Sequence, residues 1–378
     1  MLLTEEQRLI QDMARQFIRE QVKPYSAEWD ENKTFPADAL KGMAELGFFG
    51  MTIPEAYGGS EIGYVSAALV IEEIAWGDAA CSTIISVTNS VAAMPIFTFG
   101  NEEQKQKYLT KLASGEHLGC FCLTEPHAGS DAGDLKTRAA LDGDDYVING
   151  SKQFITSGKT ADTAIVFAVT NPDAGKKGIS AFIVPTNTPG YVVDTVEKKL
   201  GQHASDTCSI RFEDCRVPKE NMLGSEGEGY KIALSNLEGG RIGIAAQAVG
   251  IARAALDAAM AYAEDRKTFG KSLHQHQSIA FKLADMATKI EAARMLYLQA
   301  AAKREAGEPC LKEASMAKLY ASEIAEQVCS DAIQIHGGYG YLKDFPVEQY
   351  YRDVRVAQIY EGTSEIQKLV IHRALCQE

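Results

Sequence analysis

Apolar residues recur every three or four positions from the start of the chain: Leu3, Ile10, Met13 and Phe17 lie along one stripe of MLLTEEQRLIQDMARQF. That spacing predicts an amphipathic helix. The stretches ADALKGMAELGFFG, YVSAALVIEEIAWG and EEQKQKYLTKLASG repeat the period, and glycines 50, 58, 59, 77 and 100 stand where helices should stop, since a left-handed cap costs glycine least. Residues 1–118 read as a helical domain. From Gly119 the period falls to two. DYVING, KQFITSG, TAIVFAVT, GISAFIVPT and CSIRFEDCRV are separated by Asp-Gly, Asn-Gly and Pro-Gly turns, as expected for short strands of a small barrel or sandwich. This β domain covers residues 119–228. Beyond it, alanine-rich helical blocks at about 230–265, 274–306 and 311–336, with a last one after Thr363, predict an antiparallel four-helix bundle over residues 229–378. The fold class is α+β; a doubly wound sheet would interleave strands and helices throughout.

Composition restricts the partners. The 378 residues are 46% hydrophobic and 24% charged, enough for a sizeable core over two or three domains. A net charge of −13 disfavours any grip on nucleic acid or anionic lipid, which needs clustered Lys and Arg. The eight cysteines form no C-x-x-C pair and no Cys/His cluster, so neither a disulfide framework nor a metal site is expected. The acidic, amphipathic amino end differs from a signal peptide, and no apolar run approaches the roughly 18–20 residues of a membrane span. A cytoplasmic protein is expected, with a mature organellar form as the alternative. GSEGEGYK (224–231) and HGGYGYL (336–342) do not match G-x-G-x-x-G between strand and helix, which argues against a Rossmann nucleotide site.

Several segments could carry chemistry. FCLTEPHAGSD (121–131) offers Thr124, His127 and Ser130 beside Gly129, as a polar loop leaving a strand or as a ligand loop. Phe154 and Thr156 in FITSG supply an aromatic face and a hydroxyl. Arg241, in LEGGRIGIAAQAVG, is a solvated helix charge or a buried partner for an anion. YAEDRKTFGKSLHQHQ (262–277) is an exposed turn or a phosphate grip. In QIYEGTSEIQKLVIH (358–372), Ser364 and Gln367 fit an S-x-x-Q capping box, so a helix should begin near Ser364 with amides open to an anion. Glu361 lies just ahead of it, with no Lys or Arg beside it before Lys368. The helix end favours its charged form by about 0.3–1 kcal/mol, whereas burial could raise its pKa by up to about 3–5 units. Local sequence leaves it open between capping charge and base.

Taken together, FCLTEPHAGSD, FITSG, RKTFG…HQ, QIHGGYGY and IYEGTSEIQ, in this order and at these separations, resemble the acyl-CoA dehydrogenase family of flavoproteins over essentially the whole chain. The resemblance implies an amino-terminal helical domain, a central β domain and a carboxy-terminal four-helix bundle. It implies FAD in a homotetramer, a dimer of dimers, whose subunits complete each other's flavin sites. Phe121, Leu123, Thr124, Ser130, Phe154 and Thr156 would face the flavin of their own subunit. Arg266, Thr268, Phe269, His276 and Gln277, with Gln334, Ile335, Gly337 and Gly338, would meet a neighbour's FAD. Thr363 and Glu365 match cofactor contacts at the last helix, and Ser130, Glu238, Arg241, Tyr360 and Gly362 match the substrate side.

Glu361 matches the family's catalytic base. The implied reaction removes an α-proton from an acyl-CoA as a hydride leaves the β-carbon for flavin N5, giving a trans-2-enoyl-CoA, with electrons passed to an electron-transferring flavoprotein. Some relatives carry the base at the position of Gly240, which here has no side chain. GGRIGIAAQA and the compact length resemble the butyryl-CoA type, and CSTIISVTNS (81–90) has none of the arginine seen in relatives acting on glutaryl-CoA. A short- to medium-chain acyl-CoA is the expected substrate. The competing readings are a branched-chain dehydrogenase, an enoyl-CoA reductase, an acyl-CoA oxidase or a catalytically silent helical scaffold.

Overall fold

The computed structural model describes residues 3–377. Helices occupy the chain as far as Ser114 and again from Gly229, and strands fill most of the interval between. The strands are β1 (Gly119–Cys122), β2 (Arg138–Asp142), β3 (Asp145–Thr156), β4 (Thr163–Val169), β5 (Ile179–Pro185), β6 (Tyr191–Val196), β7 (Thr207–Pro218) and β8 (Met222–Leu223). They form one sheet in the order β6-β7-β3-β2-β4-β5-β8, with β1 running parallel to β4. Other neighbours are antiparallel, apart from a single parallel bridge between β2 and β4.

β4 reads TAIVFAV because both of its faces are covered. Ile165 and Phe167 pack with Leu109, Leu112 and Ile232 from the helices, while Ala164 and Val166 pack on the opposite face with Ile148, Phe182 and Ile210. A strand buried on two sides loses the polar alternation of a one-sided strand. The largest core joins the two helical regions: Ile18, Leu69 and Ile74 meet Ile244, Val249, Met286, Tyr297 and Val328. The helix Gly229–Asp265 crosses Gly63–Gly77 at Gly250, where an added Cβ would collide with the Glu72 carbonyl. Gly250 therefore sets how closely the two helical regions approach.

The structure revises several expectations. The first helix, Glu5–Gln21, buries Gln11, Ala14 and Ile18, whereas Met13 of the expected stripe is 42% exposed. Gln11 takes the inward place because its amide donates to the buried Glu73 carboxylate at 2.7 Å. DYVING and KQFITSG belong to the single strand β3, bent by a register break rather than a turn. A short hairpin, Lys267–Thr268 with Lys271–Ser272, delays the next helix to Gln277. The carboxy-terminal region adds a helix at Val347–Val354 to the four expected.

Two segments, Ala79–Phe99 and Gly229–Asp265, are long and apolar enough to cross a membrane, contrary to the expectation that none would be. Respectively 83% and 72% of their most apolar windows are buried inside the fold, so the core accounts for their composition. The first contains a π-helical stretch at Thr88–Ala93.

Candidate active site

A cavity of about 850 Å³ opens between the β domain and the carboxy-terminal helices. Phe121, Leu123, Thr124, Ser130, Phe154 and Thr156 line one side, and Arg241, Tyr360, Glu361 and Gly362 the other. Phe121 and Gly362, 241 positions apart in sequence, thus share one space.

The loop after β1 is held by an ion pair that sequence reading missed. Glu125 and Lys152 are both buried and 2.8 Å apart. Glu125 also accepts the amides of Lys136 (2.7 Å) and Thr137 (3.0 Å), and Lys152 donates to the Leu123 carbonyl at 3.1 Å. Burial pushes the Glu125 carboxyl up, but Lys152 and the amides outweigh it and hold the group below its ordinary range. The β3 register breaks between Lys152 and Ile155, and a bulge of this kind re-aims the side chains it contains. Phe154 adopts a left-handed backbone there (φ 58°) and is 65% exposed beside the cavity.

On the opposite wall, Glu361 is also left-handed (φ 54°) and is followed by Gly362 at φ 89°. Its Oε2 is buried with no hydrogen-bond partner among the described residues. Gly240 faces it: a Cβ at that position would lie 2.6 Å from Glu361 Oε2. Glycine at 240 is what leaves room for the carboxylate. Burial pushes the Glu361 carboxyl up to about 7, against the opposing pull of the Arg241 and Lys318 charges.

Those two cations replace the cation-free surroundings that the local sequence implied. Arg241 is buried, donates from Nη1 to Ser315 Oγ at 3.3 Å and leaves Nε unpartnered. Lys318, fully buried, donates to the Gly362 carbonyl at 2.7 Å. Neither forms a close ion pair with Glu361 among the described residues. Lys318 interrupts the buried stripe of Ala314, Ala321, Ala325 and Val328, and that mismatch was the signal available in the sequence.

Tyr360 donates through its hydroxyl to Gln247 Oε1. Gln247 Nε2 donates in turn to Ala79 O (3.0 Å), Ser82 Oγ (2.6 Å) and Thr83 Oγ1 (2.7 Å). Gln247 was likewise visible as a lone amide in the apolar run GIAAQAVGIA. The last helix, Ser364–Leu375, is capped by Thr363, whose side chain accepts the Ile366 amide at 3.4 Å. The expected Ser364–Gln367 capping box does not form, because the cap falls one residue earlier, at Thr363, which makes Ile366 the third helical residue; Gln367 Nε2 donates instead to the carbonyls of Glu361 (3.0 Å) and Gly362 (2.8 Å).

Glu238 is absent from the cavity wall and pairs with Arg304 at 2.7 Å. Glu365 is exposed at the start of the last helix. Arg266, Thr268, Ile335, Gly337 and Gly338 line a separate cavity of about 490 Å³. His276 Nε2 lies 3.1 Å from Thr268 Oγ1 at its edge, while Gln277 and Gln334 are exposed and Phe269 is 97% exposed. Within one chain this second group does not join the first.

Residues 4–116, 120–215 and 227–376 match the acyl-CoA dehydrogenase N-terminal, middle and C-terminal domains. The chain belongs to the acyl-CoA dehydrogenase family. As a member it is an oxidoreductase, and its family is one of flavoproteins. It is 48% identical over 369 residues to the "Acyl-CoA dehydrogenase, short-chain specific" of Clostridium acetobutylicum, covering 98% of this chain and 97% of that protein. Among solved structures, the butyryl-CoA dehydrogenase of Megasphaera elsdenii superposes with a TM-score of 0.97 at 45% identity, covering 100% and 99% of the two chains. A chain in the structure titled electron transferring flavoprotein of Acidaminococcus fermentans gives 0.98 at 48% identity, with 100% and 99% covered.

Proposed function

We propose that this acyl-CoA dehydrogenase uses FAD to oxidise a short- to medium-chain acyl-CoA to the trans-2-enoyl-CoA, with Glu361 as the base. The observation that carries the reading is the unpartnered Glu361 carboxylate in the large cavity, raised to about 7. A base poised near neutral pH combines sufficient ionisation with sufficient proton affinity.

The cavity wall suits a flavin. It offers an exposed aromatic face at Phe154, the hydroxyls of Thr124, Ser130 and Thr156 and a volume of about 850 Å³, combining apolar walls with a few placed polar groups. FAD, when bound, would supply the acceptor for the hydride leaving the β-carbon. Glu361 takes the α-proton on the opposite side. A thioester α-proton is too weakly acidic for a carboxylate in water, so its carbonyl must be polarised. The Glu361 amide, which meets no backbone acceptor among the described residues, is the donor this chain can offer. The hydrogen bonds of Lys318 and Gln367 fix the strap that carries it. Arg241 and Tyr360 complete the substrate side.

Arg266, Thr268, Phe269 and Gly337 serve the FAD of a neighbour in a homotetramer. Their separation from the Glu361 cavity in a single chain supports this reading. Electrons leave to an electron-transferring flavoprotein. The short-chain and butyryl-CoA relatives favour a short acyl group.

Glu361→Gln should retain FAD and lose flavin bleaching by butyryl-CoA under anaerobic conditions; normal bleaching by that variant would overturn the assignment. A panel of straight and branched acyl-CoAs, followed by reoxidation with oxygen or with the partner flavoprotein, separates dehydrogenase from oxidase and fixes chain length. A colourless protein that cannot be reconstituted with FAD would point to a scaffold.

A further inference from the structure

Lys318 lies in the middle of the helix Leu311–His336 with no exposed surface, yet it carries an ammonium. A buried lysine without a role is costly. Its Nζ donates to the Gly362 carbonyl at 2.7 Å, and the fully buried Gln367 donates to the same carbonyl at 2.8 Å and to the Glu361 carbonyl at 3.0 Å. Glu361 and Gly362 are consecutive left-handed residues. For a glutamate that backbone is unfavourable and persists only where neighbours over-determine it. Two buried donors on two successive carbonyls provide that constraint.

The charges around Glu361 come from several elements. Arg241 stands on the helix Gly229–Asp265 with Glu238 nearby, and Lys318 on Leu311–His336 with Glu323 and Glu365 around it. Tyr360 adjoins in sequence but is bonded away to Gln247. Lys318 is thus the cation whose head group is tied to the strap that bears the carboxylate.

We propose that Lys318 is a positioning residue for the base. By holding the Gly362 carbonyl it keeps the Glu361 carboxylate aimed past Gly240 into the cavity, and its charge favours the ionised carboxylate without closing on it as an ion pair. The proposal rests on the reading of Glu361 as base.

Three FAD-loaded variants test it: Lys318→Arg, Lys318→Gln and Lys318→Met. The rate of flavin bleaching by butyryl-CoA is followed against pH, together with the infrared band of the protonated Glu361 carboxyl, identified by its loss in Glu361→Gln. Removing a nearby cation raises a carboxyl pKa, so in Lys318→Gln and Lys318→Met both the band and the rising limb should move up by about one pH unit. Bleaching at neutral pH should fall about tenfold or more in Lys318→Met, with FAD content retained, and Lys318→Arg should restore the limb. If Lys318→Met does not fold, Lys318→Gln, which keeps a donor for Gly362, carries the decision. Wild-type band and limb positions in Lys318→Gln would overturn the proposal. So would a slow Lys318→Met whose limb has not moved, which would mark a purely structural lysine. Should Glu361→Gln bleach normally, the base assignment fails instead, and the two failures are told apart.

Discussion

At the scale of single residues, the carboxyl of Glu361 ties activity and stability to pH in opposite directions. In the proposed reaction its ionised form is the base, so kcat/KM should rise with pH through about 7 and level off above it. For stability the sign reverses. A carboxyl raised on folding from an ordinary value to about 7 binds its proton more tightly in the folded state, so its contribution falls as pH climbs through that window. Glu361→Gln should therefore leave the melting temperature unchanged near pH 4.5 and raise it at pH 8. The upper limit is about 3 kcal/mol, reduced because the side chain opens onto the cavity. A melting curve that is the same in both proteins at pH 8 would refute the burial argument. Gly240→Ala provides a second check, since its Cβ would stand 2.6 Å from Oε2. Bleaching should slow at least tenfold with FAD retained. Sequence showed Glu361 through the motif around it, but it could not show the burial that raises the pKa of this helix-end carboxylate. Arg241 and Lys318 approach it from helices more than 40 positions away, and nothing local to IYEGTSEIQ encodes them.

At the scale of elements, period and turn residues located the helices and strands because each buries a regular face. They failed where a polar side chain takes a core position. Gln11 displaces Met13 from the first helix's inner face because Glu73 is there to bond it. Glu72 and Glu73, in the apolar helix Gly63–Gly77, are the larger instance. Glu72 is fully buried and accepts from Arg294 Nε at 3.0 Å, from Arg253 and from the Tyr297 hydroxyl, while Arg15 reaches Glu73 at 3.0 Å. Four helices are pinned at one point. Removing one partner of such a cluster leaves uncompensated buried charge, so Glu72→Leu should lower stability by about 3–5 kcal/mol, read as a fall in denaturant midpoint at unchanged m-value. A loss below about 1 kcal/mol would mean that solvent enters the cluster and screens it.

At the scale of the whole molecule, the expected cofactor residues that line cavities fall into two separate groups. One group surrounds Glu361, while Arg266, Thr268 and Gly337 line another space, with Phe269 almost bare beside it. A phenylalanine 97% exposed in a left-handed turn (φ 49°) gains little from the fold beyond an edge-on contact with the His276 ring; a single bare aromatic is ordinary at a surface, so the case for a covering partner rests on its place in the RKTFG motif. Period and turn chemistry do not distinguish such a residue from an ordinary loop position, because hardly any of it is covered by its own chain. If that partner is a neighbouring subunit's FAD, Phe269→Ala and Arg266→Ala should each lower the bound flavin per chain after gel filtration, about tenfold in FAD dissociation constant. The Glu361 cavity should be left intact: with FAD added in excess, bleaching by butyryl-CoA recovers toward the wild-type rate. Light scattering on the same fractions tells whether FAD loss accompanies dissociation of the oligomer. Wild-type FAD affinity in both variants would show that the second cavity serves some other contact, and would remove the reason for assigning these residues to a shared site.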